Sequence, residues 1–274
     1  MKLTKQNIQR FQSTIFRWWE TNKRDLPWRH THDPYNILVS EVMLQQTQVP
    51  RVIAKYREFI ERYPTVNSLA LASPGSVLRA WKGMGYNRRA LYLQKAARAI
   101  VERYKGIFPR NEQELRELPG LGTYTARAIL VFAFKQNVSM VDTNIRQIIT
   151  HYFFNDSPQK EKVIQITADQ LLPKGKSWEW HQALMDYGAL KFHEVKMKRP
   201  EQSRGTTIPF KNSNRLFRGR IVDRLREEDI KERKLIDEFA SLYKKDDQFI
   251  RHIIEGLMKD GLISRRKGFL SLPE

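Results

Sequence analysis

The chain has 274 residues, 41% of them hydrophobic, and its 49 lysines and arginines against 30 aspartates and glutamates give a formal net charge of +19. A basic excess of this size attracts polyanions and favours a nucleic-acid partner over a merely soluble basic protein. The absence of cysteine excludes disulfides, thiolate zinc sites and cysteine-ligated iron–sulfur clusters. No apolar run approaches the roughly 20 residues of a membrane span, and the N-terminus lacks a signal-peptide core. We therefore expect a cytoplasmic, nucleoid-associated protein without a membrane partner.

Apolar residues recur at helical spacing through most of residues 8–192, and clear strand alternation is absent there. Asp33-Pro34, Ser73-Pro74 and Pro158-Gln159 are typical helix starts, because proline is tolerated in the first turn. After a first helix that begins near residue 8, the predicted helices lie near 34–47, 50–62, 66–72, 74–83, 87–104, 111–118, 123–134, 142–153, 158–171 and 177–189. This part of the chain is predicted to be all-α.

A charged stretch at 194–212, broken by Pro200, Gly205 and Pro209, indicates a linker. It separates a helical domain at 1–193 from a second domain at 213–274. Residues 205–274 hold sixteen basic and twelve acidic side chains, so about +15 of the net charge precedes them. We therefore expect the main surface for a polyanion in the first domain.

The last segment has helical patterns near 213–227, 231–241 and 246–260, followed by two short β runs around a basic turn. Three helices before a hairpin predict a winged helix; the alternative is a small helical bundle with a frayed tail. The tip of the wing would present Arg265, Arg266 and Lys267 to phosphates.

The run from Leu118 to Ala126 holds Gly120 and Gly122 in a short turn between two predicted helices. Such a turn exposes backbone N–H groups at the start of a helix, where a phosphate can bind. An ordinary helix–helix turn is the alternative. We assign Gly120, Gly122, Thr123 and Thr125 to contact with one DNA strand.

Two carboxylates are candidates for chemistry. Asp142 precedes an amphipathic helix, so on local sequence it is either a helix N-cap or a group that faces a sugar. Glu41 has Leu38, Val39 and Val42 close in sequence, and burial among them would raise its pKa. A glutamate on a solvated helix face is the alternative.

Seven motifs in order, over residues 8–192, resemble the adenine DNA glycosylases of the MutY type within the helix-hairpin-helix superfamily. They are Leu26-Pro27-Trp28-Arg29, Asp33-Pro34-Tyr35, Ser40 to Thr47, Gly83 to Tyr86, Leu118 to Ala126, Val141 to Asn144 and Gln182 to Ala189. The resemblance implies a mainly α, two-lobed helix-hairpin-helix glycosylase domain at 1–193, with the winged-helix-like α+β domain after it. The Gln45-Gln46-Thr47 run is typical of the adenine branch and its nearest mismatch relatives.

The resemblance implies that a mispaired base is flipped out of double-stranded DNA and its N-glycosidic bond hydrolysed. In this interpretation Glu41 protonates adenine at N7, Asp142 stabilises the oxocarbenium ion, and Tyr124 lies beside the sugar. Gln46 fills the gap left by the flipped base. The base pocket is lined by Arg24, Leu26, Trp28, Arg29, Leu44 and Gln182, and Tyr86 and Asn87 also contact DNA.

Tyr124 stands where lyase-type relatives carry a lysine nucleophile, so the resemblance implies a monofunctional enzyme. Asn87 stands where adenine enzymes usually have a second tyrosine. The four cysteines of the family's iron–sulfur cluster are absent, so the cofactor expected by analogy is at most a monovalent cation at the carbonyls of Leu118–Gly122.

We expect a monomer that removes adenine opposite guanine or oxidised guanine. The alternatives are a thymine or uracil mismatch glycosylase of the same fold, and a non-catalytic DNA-binding protein. Retention of both Glu41 and Asp142 argues against the last of these, since binding needs neither. The C-terminal domain is either a clamp that tightens binding to all duplexes or a replacement for the family's guanine-reading domain.

Overall fold

The computed structural model describes residues 3–192 and 213–274. The predicted linker at 194–212 lies outside the described residues. Within them the helices are α1 Lys5–Asn22, α2 Pro34–Leu44, α3 Val49–Arg62, α4 Val66–Leu71, α5 Pro74–Ala80, α6 Arg88–Tyr104, α7 Glu112–Glu117, α8 Thr123–Phe132, α9 Thr143–Phe154, α10 Glu161–Leu171, α11 Ser177–Lys191, α12 Asn214–Leu225, α13 Glu232–Tyr243 and α14 Asp247–Lys259. A 3₁₀ turn lies at Pro27–Arg29, and the strands are β1 Ile230–Lys231, β2 Ser264–Arg266 and β3 Phe269–Ser271.

The predicted all-α character is confirmed for residues 3–192. The starts at Pro34 and Pro74 are confirmed, and Ser73 caps α5 through the backbone N–H of Ser76. The predicted start at Pro158-Gln159 is wrong, because the chain stays extended through Lys160 (φ −62°, ψ 147°) and α10 begins at Glu161.

The chain folds as two compact units. The first comprises Met1–Glu41, Phe108–Glu117 and Leu121–Ser203. Its core joins α1, α9, α10 and α11 through buried side chains that include Phe11, Ile15 and Trp180. The rings of Phe11 and Trp180 meet edge to face with centroids 5.8 Å apart. This unit carries Glu41, Tyr124 and Asp142.

The second unit comprises Val42–Ile107, Leu118–Gly120 and Arg204–Glu274. The C-terminal elements therefore cluster with α3 to α6. They run α12-β1-α13-α14-β2-β3, and the antiparallel sheet has the order β1-β3-β2. This is the element order of a winged helix.

The predicted hairpin is present at β2 and β3. Its two-residue loop, Lys267-Gly268, has both residues at positive φ (49° and 77°), which matches the twist of the strands. The strand β1 was not predicted, since two residues are too few to show alternation.

The C-terminal elements of this unit contact α5 and α6 through buried polar groups. The N–H of Gly75 donates to the carbonyl of Pro273 at 2.6 Å. The buried guanidinium of Arg226 donates to the carbonyl of Leu78 and to Oδ1 of Asn87, each at 2.9 Å. These contacts fix the first helix of the C-terminal segment beside the start of α6.

Candidate active site

Glu41 lies in the middle of α2 with only 6% of its surface exposed. Burial, opposed by a hydrogen bond from Tyr124 and reinforced by the charge of Asp142, raises its pKa from 4.5 to about 7. The side chain is therefore not on a solvated helix face. A carboxyl group in this environment can hold a proton near neutral pH.

Tyr124 lies in the first turn of α8, directly after the glycine-rich turn, and is half-buried. Its hydroxyl donates a hydrogen bond to the carboxyl group of Glu41. Burial and the charges of Glu41 and Asp142 raise the pKa of this phenol well above its ordinary value of 10. Tyr124 therefore stays protonated and holds the Glu41 carboxyl group in place.

Asp142 is the N-cap of α9, so the capping interpretation holds. Its Oδ1 accepts the N–H of Ile145 at 2.7 Å, and Oδ2 accepts the Nδ2 amide of Asn144 at 3.2 Å. Burial raises the pKa of Asp142 above 3.8, and these hydrogen bonds oppose the rise. The carboxylate also lies close enough to act electrostatically on Glu41 and Tyr124. Capping and a place in the site are thus compatible.

The two carboxyl groups differ in what surrounds the charge. Glu41 receives one hydrogen bond in an apolar setting, whereas Asp142 receives hydrogen bonds at the positive end of a helix. Near neutral pH Glu41 can donate a proton, while the hydrogen bonds to Asp142 favour the charged form of that group. Two carboxyl groups in such different surroundings are typical of glycosidic bond cleavage.

A family model described as HhH-GPD superfamily base excision DNA repair protein matches residues 39–174, which include Glu41 and Asp142. The chain is 35% identical over 184 residues to the thymine/uracil-DNA glycosylase of Methanothermobacter thermautotrophicus, an alignment that covers 66% of this chain and 83% of that protein. The chain belongs to the HhH-GPD superfamily of base excision DNA repair proteins.

The adenine DNA glycosylase of Mycolicibacterium smegmatis is 41% identical over 178 residues. That alignment covers 64% of this chain but 61% of the relative, so the chain spans about six tenths of the length of this adenine glycosylase. Among solved structures, a thermostable thymine-DNA glycosylase matches with a TM-score of 0.63 and 33% identity over 68% of this chain and 87% of that chain. The resemblance to MutY-type enzymes and the helix-hairpin-helix fold are confirmed.

A buried ion-pair network holds Arg24 and Arg29, two of the residues predicted to line the base pocket. Asp186 is fully buried on α11 and receives Nη2 and Nη1 of Arg29 at 2.7 and 2.8 Å. Nε of Arg24 and Nε1 of Trp19 also donate to it, at 2.6 and 2.9 Å. Burial alone would raise the pKa of Asp186, but the two arginines hold it below its ordinary value. Arg24 and Arg29 are therefore anchored, and Asp186 positions them.

The remaining predicted pocket residues differ in exposure. Leu26, Trp28 and Gln182 are buried in the first unit. Leu44 is the last residue of α2, belongs to the second unit and is half-buried. Their roles in base recognition stay predictions.

The glycine-rich turn has the sharp backbone conformation that the sequence predicts. Gly120 has φ +81°, and a Cβ there would lie 2.7 Å from Cβ of Tyr92. Gly122 and Thr123 are exposed at the start of α8, as DNA contact requires. Thr125 is only 3% exposed, because helical periodicity turns it inward with Ala128 and Ile129. Its side chain therefore does not reach DNA, and a contact through its backbone in the first turn of α8 stays a prediction.

In the second unit, Gln46 is exposed and has φ +53°, and Tyr86 is half-buried with φ +44°. Oδ1 of Asn87 accepts a hydrogen bond from Arg226, so this side chain holds α12, and its contact with DNA stays a prediction. At the hairpin Arg266 and Lys267 are exposed, while Nε of Arg265 pairs with Glu232 at 2.7 Å.

Besides Asp186, three further residues that shape these sites were given no role from the sequence: Arg89, Asn144 and Gly188. Arg89 donates to the carbonyls of Val42, Met43, Gln45, Met84 and Gly85 and to the hydroxyl of Thr47. It thereby fixes the loop after α2 and the loop before α6. In the first unit, Gly188 packs so tightly on Asn144 that a Cβ would lie 2.5 Å from Cβ of that residue. Through Asn144, α11 supports Asp142.

Among residues 3–192 and 213–274, no group of three or more histidines, aspartates or glutamates is arranged to hold a metal ion. No described helix is long and apolar enough to cross a membrane.

Proposed function

We propose that this chain is a monofunctional DNA glycosylase that removes a mispaired base, with adenine opposite guanine or oxidised guanine as its first substrate. The observation that supports this most is the pair Glu41 and Asp142, with the hydroxyl of Tyr124 bonded to Glu41. A superfamily member used only for binding has no need to bury a carboxyl group whose pKa reaches about 7.

The proposed chemistry begins when Glu41 donates its proton to the extruded base as the bond between the base nitrogen and C1′ breaks. The electron pair of that bond leaves with the base. The carboxylate of Asp142 stabilises the positive charge that develops on the sugar. Water then adds to C1′ and releases a proton, which restores Glu41. Tyr124 holds Glu41 and offers no amine, so the proposal includes no Schiff base and no strand cleavage.

The proposed partner is double-stranded DNA bearing the mispair. Net charge +19 supplies long-range attraction to phosphates. The exposed N–H groups at Gly122 and Thr123, at the start of α8, suit a phosphate of the strand that carries the target base.

The chain has no cysteine, so its residues do not fit an iron–sulfur cluster, and no step depends on one. A monovalent cation near the carbonyls of Leu118–Gly122 is proposed by family analogy alone.

A second candidate is excision of thymine or uracil opposite guanine. It is favoured by the thymine/uracil-DNA glycosylase relative, 83% of whose length is covered, and by Asn87, whose amide oxygen is bound by Arg226 where adenine enzymes usually place a tyrosine.

The two candidates are separated by glycosylase assays on duplexes with a single adenine·guanine, adenine·8-oxoguanine, thymine·guanine or uracil·guanine pair. We expect strand breaks at the adenine, and only after hot alkali reveals abasic sites. Breaks at thymine or uracil instead would establish the second candidate. Breaks without alkali would contradict the monofunctional mechanism, and intact strands on all four duplexes would contradict excision of these bases.

A further inference from the structure

The second unit contains a cleft of about 780 Å³ between the loops that Arg89 holds and α12. One wall is formed by Gln45, Gln46 and residues 83–89, and the other by α12. Seven arginines and one carboxylate line it: Arg51, Arg88, Arg89, Arg215, Arg218, Arg220, Arg226 and Asp223. Guanidinium groups gathered in this way create a positive potential that favours an anion in the cleft.

Three of these arginines are explained by the fold itself. Arg89 binds backbone carbonyls, Arg226 binds Asp223, Leu78 and Asn87, and Arg218 pairs with Asp260. Arg88 also lies 3.7 Å from Asp260. These four arginines therefore have roles within the fold itself.

The other arginines face the open cleft. Arg51 and Arg220 are exposed, and within the described part of the chain neither forms an ion pair. Arg215 is exposed and stacks on Tyr86, with its guanidinium carbon 3.8 Å from the ring centroid. Arg89 lies 5.5 Å from the same ring, so two cations approach Tyr86. Burial and the charge of Arg215 lower the pKa of Arg89 to about 10.

We propose that α12, through Arg215 and Arg220 together with Arg51 of α3, binds the phosphate backbone of duplex DNA beside the mispair. The cleft begins at Gln46, the residue expected to enter the base stack, so this inference rests on the proposed function. Guanidinium groups in an open groove beside an aromatic ring are typical of nucleic-acid backbone contact. The C-terminal segment then binds DNA mainly through its first helix, α12, and its hairpin contributes less to the affinity.

The hairpin is the competing surface. Its three basic residues are exposed, but Arg265 is already paired with Glu232, and none of the three lines the cleft. Arg266 and Lys267 therefore provide a matched comparison, because neutralising them removes the same two charges as neutralising Arg215 and Arg220.

The test compares the full-length double variants Arg215→Gln/Arg220→Gln and Arg266→Gln/Lys267→Gln. Affinity for an undamaged 20-base-pair duplex is measured between about 50 and 200 mM salt, with thermal unfolding as the folding control. Each lost phosphate contact lowers the slope of log affinity against log salt concentration by about 0.9. In the α12 variant this slope should therefore fall by close to 2, and binding should be at least about tenfold weaker. In the hairpin variant the same slope should fall by less than about 1. In the single variant Arg220→Gln, which leaves the Tyr86 stack intact, it should fall by about 1.

The proposal would be overturned if the salt slope fell as much in the hairpin variant as in the α12 variant, or more. It would also be overturned if the chain bound a double-stranded RNA of the same sequence more tightly than the DNA duplex. Undamaged DNA requires no excision. A chain that excises nothing but keeps the α12-dependent slope would therefore contradict the proposed function and leave the α12 site standing. If excision were normal and the α12 variant had an unchanged salt slope, the proposed function would stand and the α12 site would be contradicted.

Discussion

Glu41 and Asp142 illustrate how the position of a carboxyl group, rather than its type, decides its chemistry. Glu41 is in an apolar helix and receives one hydrogen bond, from Tyr124. Asp142 caps a helix and receives the N–H of Ile145 and the amide of Asn144. Burial raises the pKa of Glu41 to about 7, and it also raises the pKa of Asp142, against the hydrogen bonds that favour the charged form of that group. Glu41 is thus poised to give a proton, and Asp142 is surrounded by donors that stabilise a negative charge.

Asp142→Asn tests the charge of the second carboxylate. Asparagine also caps helices well, so α9 should remain and duplex affinity should persist. The single-turnover excision rate should fall at least about a hundredfold, on the order of 3 kcal/mol of transition-state stabilisation. Turnover near that of the unchanged protein would remove Asp142 from the mechanism.

The raised pKa of Glu41 should also appear as a pH dependence of stability. A group that binds its proton more tightly when folded stabilises the protein below its unfolded pKa of 4.5, and this stabilisation is lost as pH rises to about 7. Glu41→Gln removes the ionising group, so at pH 8 it should raise the free energy of unfolding by up to about 3 kcal/mol relative to the unchanged chain. At pH 4.5 the difference should vanish. Urea unfolding at both pH values measures it, and a pH-independent difference would mean that Glu41 is not held protonated.

Helix α11 supports both polar centres of the first unit. Its Asp186 anchors Arg24 and Arg29, and its Gly188 lets α9 approach, with Asn144 against it. The helix has no side-chain N-cap, and buried residues occur all round it, which is expected of a helix enclosed by protein.

Gly188→Ala tests the close approach of α11 and α9. The new methyl group would lie 2.5 Å from Cβ of Asn144, so the N-terminus of α9 must shift. We expect a loss of about 1–3 kcal/mol in unfolding free energy and a slower excision step. For the unfolding measurement the control is Gly219→Ala in α12, where a Cβ meets nothing within 4 Å. Equal effects of the two substitutions would show that the loss of glycine, not the clash, is responsible.

The helices were predictable because their apolar residues repeat at helical spacing and proline marks two of their starts. The burial of Glu41 followed from its apolar neighbours. Asp186 could not be given its role, since its arginine partners lie 157 and 162 residues away in sequence. The burial of Thr125 was also predictable, because its spacing to Ala128 and Ile129 already indicated the inner face of α8.

The loops of the second unit were less predictable. The helix expected at 34–47 ends at Leu44, because Arg89 takes the carbonyls there and Gln46 adopts φ +53°. Arg89 donates hydrogen bonds to five backbone carbonyls in two loops, and no pattern in the neighbouring sequence indicates such contacts. None indicates the docking of Arg226 on Asn87, 139 residues apart, either.

Most of the net charge of the chain precedes residue 205, yet α12 contributes Arg215 and Arg220 to the cleft. The C-terminal segment therefore contributes to the basic surface through the placement of two arginines and not through its total charge. That placement depends on the docking contacts at Gly75 and Arg226.

Gly75→Ala tests whether the C-terminal residues are docked on α5. A Cβ would lie 2.7 Å from the carbonyl oxygen of Pro273 and disturb the hydrogen bond made by the Gly75 N–H. We expect a loss of about 1–3 kcal/mol in unfolding free energy. In a chain that ends at Leu272 the same substitution should cost much less. An equal cost in both chains would show that Pro273 is not the contact that Gly75 makes in solution.

We propose that Glu41 delivers the proton with which a base leaves its sugar, and the amount of free base released in a single turnover measures this step. The substrate is a duplex with one adenine·8-oxoguanine pair, used with protein in excess, and the released adenine is quantified. The unchanged chain should release one adenine per duplex, at a rate that falls as pH rises through about 7. Glu41→Gln should bind the duplex as tightly and release almost none. Release by Glu41→Gln at the unchanged rate would contradict the account and reduce Glu41 to a packing residue.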